Sequence, residues 1–126
     1  MKIELDINAE HNYQIDSYKA GLIIVNGTSY SSSIILTPDR LITEWMPERF
    51  QDLALQHIEQ LTTLEPEIII LGTGHKLHFP AQQLIVPIFE LNIGFEVMDT
   101  GAACRCYNLL ISEGRKVVAA LLPIEI

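Results

Sequence analysis

Basic residues are scarce in this sequence. Its 126 residues include eight Lys and Arg against sixteen Asp and Glu, which gives a formal net charge of −8 at pH 7. Nucleic-acid-binding proteins need a basic surface that neutralises phosphates, so we expect no nucleic-acid partner. Seven of the carboxylates lie between Asp39 and Glu67, together with only two arginines. We interpret this segment as a solvated acidic face, with a docking surface for a basic partner as the alternative.

Cysteine is also scarce, and no long apolar run is present. Cys104 and Cys106 are two residues apart on a predicted helix, so they point to different sides and cannot pair with each other. Such cysteine usage is typical of a reducing compartment. The sequence has no apolar run of roughly 18 residues that would span a membrane, and residues 1–11 lack a signal-peptide pattern. We therefore expect a soluble, cytoplasmic protein that is not itself transmembrane, although docking on a membrane complex stays open.

The motifs of common cofactor sites are missing as well. The sequence contains no Walker A motif and no G-x-G-x-x-G fingerprint of dinucleotide-binding proteins. His75 and His78 have a metal-like spacing, but they lack a nearby cysteine pair or acidic third ligand. Asp99, Thr100 and Gly101 resemble the Asp-Thr-Gly signature of retroviral-type aspartic proteases, but a helix instead of a strand is predicted to follow them. We therefore predict no metal, no cofactor and no catalytic residues, and we interpret Asp99 as a helix cap.

A single nucleophile candidate remains. Cys104 falls in the first turn or so of its predicted helix, where the helix dipole lowers the pKa of a thiol. The base that a nucleophile needs would have to come from His75 or His78, which are distant in the sequence. We favour the alternative, a buried and inert thiol.

Apolar residues make up 48% of the chain, which is enough for a core in one domain of residues 1–126. The first part, about residues 1–45, has the alternating pattern of a β meander. Asn26-Gly27 is a strong signal for a β-hairpin turn. The predicted strands of this part are Lys2–Ile7, Leu22–Val25, Ser29–Leu36 and Leu41–Trp45.

The rest of the chain predicts helices that alternate with buried strands. Arg49–Leu61 has apolar residues along one helical face, and Glu67–Leu71 is an Ile-rich run typical of a central strand. Pro80–Leu91 predicts a crossover helix in which Pro87 either lies near the start of the helix or kinks it. Asn92 is a plausible left-handed cap for this helix.

Residues 94–122 are the stretch around which we expect the fold to be organised. A buried parallel strand is predicted at Phe95–Met98, and the helix after it is capped by Asp99 or Thr100. Gly114 ends this helix, and Val117–Leu122 forms the next strand. The result is a β-α-β-α-β unit of about residues 67–123 with parallel strands. We therefore predict an α/β sheet with an additional N-terminal β layer.

The carboxyl ends of the parallel strands are the candidate ligand site, because open α/β sheets bind ligands there. The second of these ends also opens a helix whose free N–H groups attract anions. The alternative is that the glycines only permit turns and that Arg105 is solvated. The candidate ligand- or anion-binding residues are Gly72, Thr73, Gly74, Thr100, Gly101, Ala102 and Arg105.

Helical spacing predicts a polar stripe along the helix after Asp99. It consists of Gly101, Arg105, Asn108 and Ser112, and we predict that the last three contact a protein partner. On the opposite side we predict an apolar stripe. Its members are Ala102, Ala103, Cys106, Leu109 and Leu110.

Five segments together form a recognisable combination of motifs. They are residues 67–74, 96–100, 103–110, 113–115 and 119–123. Together they resemble a widespread family of small domains of unknown function that includes the mitochondrial complex I (NADH:ubiquinone oxidoreductase) assembly factor 3 and uncharacterised bacterial relatives. The resemblance implies a three-layer α/β fold with a mixed central sheet, flanking helices and an additional N-terminal β-hairpin layer. It supplies no catalytic residues.

From the residues and the resemblance we predict a bacterial, non-enzymatic interaction module in the assembly or maturation of a membrane or respiratory complex. Its partners would be a subunit of that complex or another assembly factor. The alternative is a small-molecule or anion-binding protein, or a cryptic enzyme. Its site would lie at the strand ends formed by Gly72–Gly74 and Thr100–Arg105.

Overall fold

The computed structural model describes residues 4–6 and 12–124, which form nine strands and three α-helices within those ranges. The strands are β1 Glu4–Asp6, β2 Ile15–Lys19, β3 Leu22–Val25, β4 Thr28–Tyr30, β5 Ile34–Leu36, β6 Arg40–Ile42, β7 Ile68–Gly72, β8 Gly94–Met98 and β9 Val117–Leu121. The helices are α1 Leu55–Thr62, α2 Gln82–Glu90 and α3 Thr100–Ser112.

The strands form a six-stranded mixed sheet, in the order β1-β6-β5-β9-β7-β8, and a three-stranded sheet, in the order β2-β3-β4. Strand β7 is parallel to both β8 and β9, whereas β5 is antiparallel to both β6 and β9. Because two reversals separate β6 from β9, the strands β6, β7, β8 and β9 all point the same way. Their carboxyl ends therefore lie along one end of the sheet.

The six-stranded sheet is the middle of three layers, because successive side chains of its strands point to opposite faces. On β7, Ile69 and Leu71 face one core, whereas Ile70 faces the other. Helices α1 and α2 cover the first face, and α3 together with the three-stranded sheet covers the second. The predicted three-layer α/β fold with a mixed sheet is therefore confirmed. The largest helical side chains in the two cores are Ile58, Leu61 and Ile88 on the first face and Tyr107 and Ile111 on the second.

The predicted N-terminal hairpin is confirmed, but its second strand is shorter than predicted. Asn26 and Gly27 both have positive φ angles, of 46° and 84°, as a type I′ turn requires. The predicted strand Ser29–Leu36 is wrong as one element, because its first part pairs in the small sheet as β4 and its last part in the large sheet as β5. The chain changes sheets at Ser33, whose buried hydroxyl donates to the carbonyl of Pro47.

The other predicted strands of this part agree in place but not in length. Strand β6 begins one residue before the predicted Leu41 and ends at Ile42. Strand β1 lies inside the predicted Lys2–Ile7, of which residues 2, 3 and 7 lie outside the described part of the chain.

The predicted helix Arg49–Leu61 is wrong as a single helix. Residues Phe50–Asp52 form one 3-10 turn, and α1 starts only after an extended residue, Ala54, with φ −134° and ψ 169°. The N–H of Ala54 donates to Nδ1 of His57 at 2.9 Å, so the imidazole fixes this helix start. Partial burial lowers the pKa of His57 against the opposing charge of Asp52, which favours the neutral ring that accepts this bond.

Helix α2 includes its proline. Pro87 is the sixth of nine residues, so the predicted alternative with Pro87 near the helix start is wrong. Its missing N–H leaves the carbonyl of Gln83 without the usual helical donor, and Gln83 is exposed to solvent. Asn92 has a φ of 58°, so the predicted left-handed cap is confirmed.

Strand β8 is parallel to β7, as predicted, but it is not a buried strand. Among the described residues it pairs with β7 alone and forms the end of the sheet. Its Phe95, Val97 and Met98 are half-buried, and Glu96 is exposed. The apolar pattern of an edge strand beneath helices resembles that of a central strand, which is why the prediction failed.

The start and end of α3 agree with the prediction, but its buried face agrees only in part. Asp99 caps the helix by accepting from the N–H of Ala102 at 2.9 Å, and Gly114 has a φ of 75°. The predicted apolar stripe coincides with the buried face only in part, because Ala103 is buried whereas Leu109 is 59% exposed. The buried face follows Tyr107, whose hydroxyl donates to the carbonyl of Tyr13 at 2.9 Å. The large sheet and β2 both pack on α3, and together they select this face.

Helix α3, with thirteen residues, is the longest helix of the described chain. Within residues 4–6 and 12–124, no helix has both the length and the apolar character needed to cross a membrane.

We predict that Asn108→Ala lowers the free energy of unfolding by about 1–3 kcal/mol, because two backbone groups of Ile15 lose their partners. The Asn108 amide accepts from the N–H of Ile15 at 2.9 Å and donates to its carbonyl at 2.7 Å, which attaches β2 to α3. Urea denaturation measures the change. Leu109→Ala, at the exposed neighbouring position, is the control and should change stability by no more than about 0.5 kcal/mol. Equal losses in the two variants would contradict this attachment.

Candidate functional site

The candidate ligand residues lie at the end of the sheet where β6, β7, β8 and β9 all terminate. Four chain segments follow these strands and meet there. The hairpin between β2 and β3 joins them, because the N–H of Gly21 donates to the carbonyl of Ile124 at 2.7 Å. The predicted segments Gly72–Gly74 and Thr100–Arg105 are thus brought together. The four segments are 43–49, 73–79, 99–105 and 122–124.

The hydroxyl of Thr100 joins three of these segments. Thr100 is fully buried, and its Oγ1 donates to the carbonyl of Leu122 at 2.7 Å and accepts from the N–H of Gly74 at 2.8 Å. The N–H of Thr100 donates in turn to the carbonyl of Gly74 at 2.9 Å. The ends of β7 and β9 and the start of α3 are therefore held by one side chain.

Gly72 lets the start of α3 approach the sheet. A Cβ atom at position 72 would lie 2.9 Å from Oγ1 and 3.0 Å from Cα of Thr100, and 3.1 Å from Cβ of Ala103. No side chain fits in that space without moving the helix. The role that the structure shows for Gly72 is therefore close packing.

Thr73 organises the loop after β7. Its N–H donates to the carbonyl of Met98 at 2.9 Å. Its hydroxyl donates to the carbonyl of Lys76 at 2.6 Å and accepts from the N–H of His78 at 3.2 Å. The ring of His78 then stacks on Phe50, with the ring centroids 5.1 Å apart. The polar atoms of Thr73 are therefore engaged within the protein.

The start of α3 also uses its polar groups internally. The carboxylate of Asp99 occupies the N–H of Ala102, and the N–H of Thr100 is bound by Gly74. The ring of Tyr18 covers Gly101 so closely that a Cβ there would lie 2.8 Å from Cε2 of the ring. An anion at this helix start would thus meet fewer free N–H groups than an isolated helix offers.

Two open clefts adjoin at Gly74 and His75. One has a volume of about 560 Å³ and includes Lys19, Asp99 and Arg105 in its wall. The other has a volume of about 440 Å³, and its wall includes Arg49, Lys76, His78 and Glu48. Four of the eight Lys and Arg residues thus line the clefts of a protein whose net charge is −8. The arrangement therefore concentrates positive charge at the two clefts, although acidic residues are in excess in the protein as a whole.

Arg105 is placed by an aromatic residue that the sequence analysis missed. Its guanidinium lies over the ring of Tyr18, 5.8 Å from the centroid, and donates to the Tyr18 hydroxyl. This cation–π contact fixes Arg105 beside the cleft. Tyr18 and Lys19 gave no local signal, because only the packing of β2 on α3 brings them to the site.

The polar stripe predicted on α3 is only partly free for a partner. Arg105 and Ser112 are exposed, and the exposed Leu109 lies between them. Asn108 uses its amide to hold Ile15, and Gly101 lies beneath Tyr18. The contact of Arg105, Asn108 and Ser112 with a partner stays a prediction. The amide of Asn108 already binds the backbone of Ile15.

Cys104 is a buried thiol. Burial raises the pKa of the Cys104 thiol to about 12. The positive charge of Arg105 opposes this rise, and the negative charge of Asp99 adds to it. The thiol is therefore protonated at neutral pH, which confirms the buried-thiol interpretation over a dipole-activated nucleophile. Cys104 and Cys106 are both free. Among the residues that the structure describes, no group of three or more His, Cys, Asp or Glu side chains is placed to hold a metal ion.

Residues 15–122 match one protein family, described as "Protein of unknown function (DUF498/DUF598)". NADH dehydrogenase (ubiquinone) 1 alpha subcomplex assembly factor 3 of Bos taurus is 32% identical over 111 residues, which are 86% of this chain and 60% of that protein. The chain therefore spans 60% of the length of this relative.

Bacterial proteins are similar over more of their own length. The "13 kDa major membrane protein" of Francisella tularensis subsp. holarctica is 30% identical over 102 residues, which are 79% of this chain and 82% of that protein. A crystal structure of a Bordetella parapertussis protein has a TM-score of 0.84 at 35% identity and covers 89% of this chain and 96% of that one. The mixed α/β fold is thus shared with an experimentally determined structure.

We predict that Thr100→Val lowers the free energy of unfolding by about 1–3 kcal/mol, although the two side chains have nearly the same shape. The substitution leaves the carbonyl of Leu122 and the N–H of Gly74 buried without their partner. Thermal and urea unfolding measure the loss. Thr63→Val is the matched control, because the Thr63 hydroxyl is exposed and bonds only the carbonyl of Gln60; we expect a change within about 0.5 kcal/mol. A Thr100→Val protein as stable as the control would show that the hydroxyl does not hold this end together.

Proposed function

Since this chain belongs to the family described as "Protein of unknown function (DUF498/DUF598)", we propose that it is a non-enzymatic interaction domain in the assembly or maturation of a membrane or respiratory complex. The bovine relative named as a complex I assembly factor supports this proposal. The relative from Francisella, which is named a major membrane protein, supports a membrane complex as the target of this assembly role.

The observation that carries the proposal is the distribution of exposed apolar side chains. Eight large ones are exposed in the described chain, and five of them lie between residues 77 and 91. Phe79 is 72% exposed and Phe89 is 59% exposed. Leu77 and Phe79 follow β7, whereas Val86, Phe89 and Leu91 lie on or just after α2. Exposed apolar side chains that adjoin one another on a surface mark a protein contact. The five are Leu77, Phe79, Val86, Phe89 and Leu91.

Helix α2 presents part of this surface on its outer side. Ile88 is fully buried against the sheet, whereas Val86 and Phe89 lie on the other side of the same helix, exposed by 39% and 59%. Their spacing of three residues places them next to each other along one helical face. An aromatic residue beside a branched apolar residue is a suitable anchor for a protein contact.

The charge of the protein favours a basic partner. The seven carboxylates between Asp39 and Glu67 are all exposed, and two of them, Asp52 and Glu67, form ion pairs with Arg49 and Arg115. A partner that carries basic residues would complement this excess of exposed acidic residues.

We predict that the tagged protein, captured from its own cells after membranes are solubilised, retains a membrane-complex subunit or an assembly factor near one-to-one stoichiometry. Phe89→Ser should lose at least about 90% of that partner, because the loss of a buried aromatic anchor typically costs 2 kcal/mol or more of binding. Leu109→Ser is the matched control, since Leu109 has the same 59% exposure but lies on α3, across the sheet.

Arg105→Glu tests the alternative contact along α3 in the same experiment. If Leu109→Ser and Arg105→Glu lose the partner and Phe89→Ser keeps it, the interface lies on α3 and not on α2. If the wild-type protein is recovered alone, the interaction proposal is contradicted.

Anion binding is the second candidate, and the cleft that contains Lys19, His75 and Arg105 favours it. The expected ligand is a small carboxylate or phosphate compound, which Arg105 and Lys19 together would bind in preference to chloride. In this case citrate or inorganic phosphate would raise the melting temperature of the wild type but not of Arg105→Ala. An equal rise with sodium chloride at the same ionic strength would count against a site.

A further inference from the structure

Strand β8 has a backbone edge that no described strand occupies. The N–H of Gly94 donates to the carbonyl of Glu67, and the carbonyl of Met98 accepts from the N–H of Thr73, so both residues direct backbone groups towards β7. Because successive residues of a strand direct their N–H and C=O groups to alternate sides, Phe95 and Val97 direct theirs away from β7. These two residues offer a row of donors and acceptors at the end of the sheet.

The two faces beside this edge differ in character. Phe95 and Val97 are half-buried against the core beneath α1 and α2. Glu96 is exposed on the opposite face, next to α3. One face of the edge is therefore apolar and the other is acidic.

We infer that the free edge of β8 accepts an extended segment of a partner protein as a seventh strand, with a basic residue of that segment opposite Glu96. The inference rests on the proposed function, because it names the mode of the interaction. The backbone groups of Phe95 and Val97 supply the hydrogen bonds of such a contact, and alternate side chains supply its specificity. Apolar residues of the added strand would cover Phe95 and Val97.

A second copy of this chain is the less suitable occupant. Antiparallel pairing of two β8 strands about a two-fold axis places the same face of both sheets on the same side. Pairing centred on Glu96 would then bring the two Glu96 side chains opposite each other on the same face of the new strand pair. Like charges opposite each other destabilise a strand pair, whereas a basic residue opposite Glu96 stabilises it.

The test uses the purified full chain and two synthetic seven-residue peptides with blocked ends. Both have valine at the odd positions and threonine at positions two and six; one has lysine and the other glutamate at position four. We expect the lysine peptide to slow hydrogen exchange of the Phe95 and Val97 amides and to bind roughly two- to fivefold more tightly than the glutamate peptide. Glu96→Lys should reverse the preference.

Val97→Pro removes an outward N–H without removing a bond to β7, and Val97→Ala keeps that N–H as the matched control. We expect the proline variant to lose peptide binding and the alanine variant to keep it. Glu96→Lys keeps the inference testable if the proline variant does not fold, since a surface charge reversal leaves the backbone intact.

Three results would overturn the inference. The first is peptide binding without protection of Phe95 and Val97, for instance with changes only around Arg105. The second is an unchanged preference in Glu96→Lys. The third is protection of the two amides that increases with protein concentration in the absence of peptide, which would identify a second copy as the occupant. If the peptides do not bind but the capture experiment recovers a partner, the inference about the β8 edge is rejected and the proposed function is not. If a peptide binds at the edge but no partner is captured, the proposed function is rejected and the inference about the edge is not.

Discussion

The buried hydroxyl of Thr100 is the interaction on which the functional end of the fold depends. It connects the carbonyl of Leu122 to the N–H of Gly74 and so fixes the ends of two parallel strands to the start of α3. Gly72 is part of the same arrangement, because only a residue without a side chain lets Thr100 approach. The position of α3 then places Arg105 beside Tyr18 and Asn108 beside Ile15, which attaches the small sheet to the large one.

This constraint changes how the strand ends are interpreted. In open α/β sheets the carboxyl ends of the strands usually provide free polar groups for a ligand. Here the side chains of Thr73, Thr100 and Asp99 form hydrogen bonds with neighbouring backbone atoms instead. What remains there is a pair of open clefts whose walls include four basic residues. The exposed apolar residues of α2 lie elsewhere, and no described strand pairs with the outer edge of β8. These are the two surfaces for which we propose contacts with proteins.

Local sequence patterns predicted most of the central architecture. The β-α-β-α-β order, the cap at Asp99 and the turns at Gly27 and Gly114 follow from the few residues around each of them. The errors concern contacts between distant segments. Nothing in Ser29–Leu36 shows that its two halves join different sheets, and nothing near Phe95 shows that β8 pairs with a single strand among those described. The buried residues Ala103, Tyr107 and Ile111 of α3 do have helical spacing, but the bond of Tyr107 to the distant residue Tyr13 could not be predicted from the helix alone. The candidate site was predicted in the same partial way. The topology of the parallel strands predicted that Gly72–Gly74 would meet Thr100–Arg105. The sequence could not show whether Thr73 and Thr100 bind a ligand or the backbone.

We propose that the protein acts through its outer surface at α2 and β8, while the strand ends around Thr100 serve the fold. Hydrogen exchange of the chain, measured free and in complex with its captured partner, distinguishes these two surfaces. We expect slower exchange of backbone amides in residues 77–98 on binding and unchanged exchange at 72–74 and 99–102. Slower exchange confined to 72–74 and 99–105 would contradict it and would show that the strand ends are the working surface.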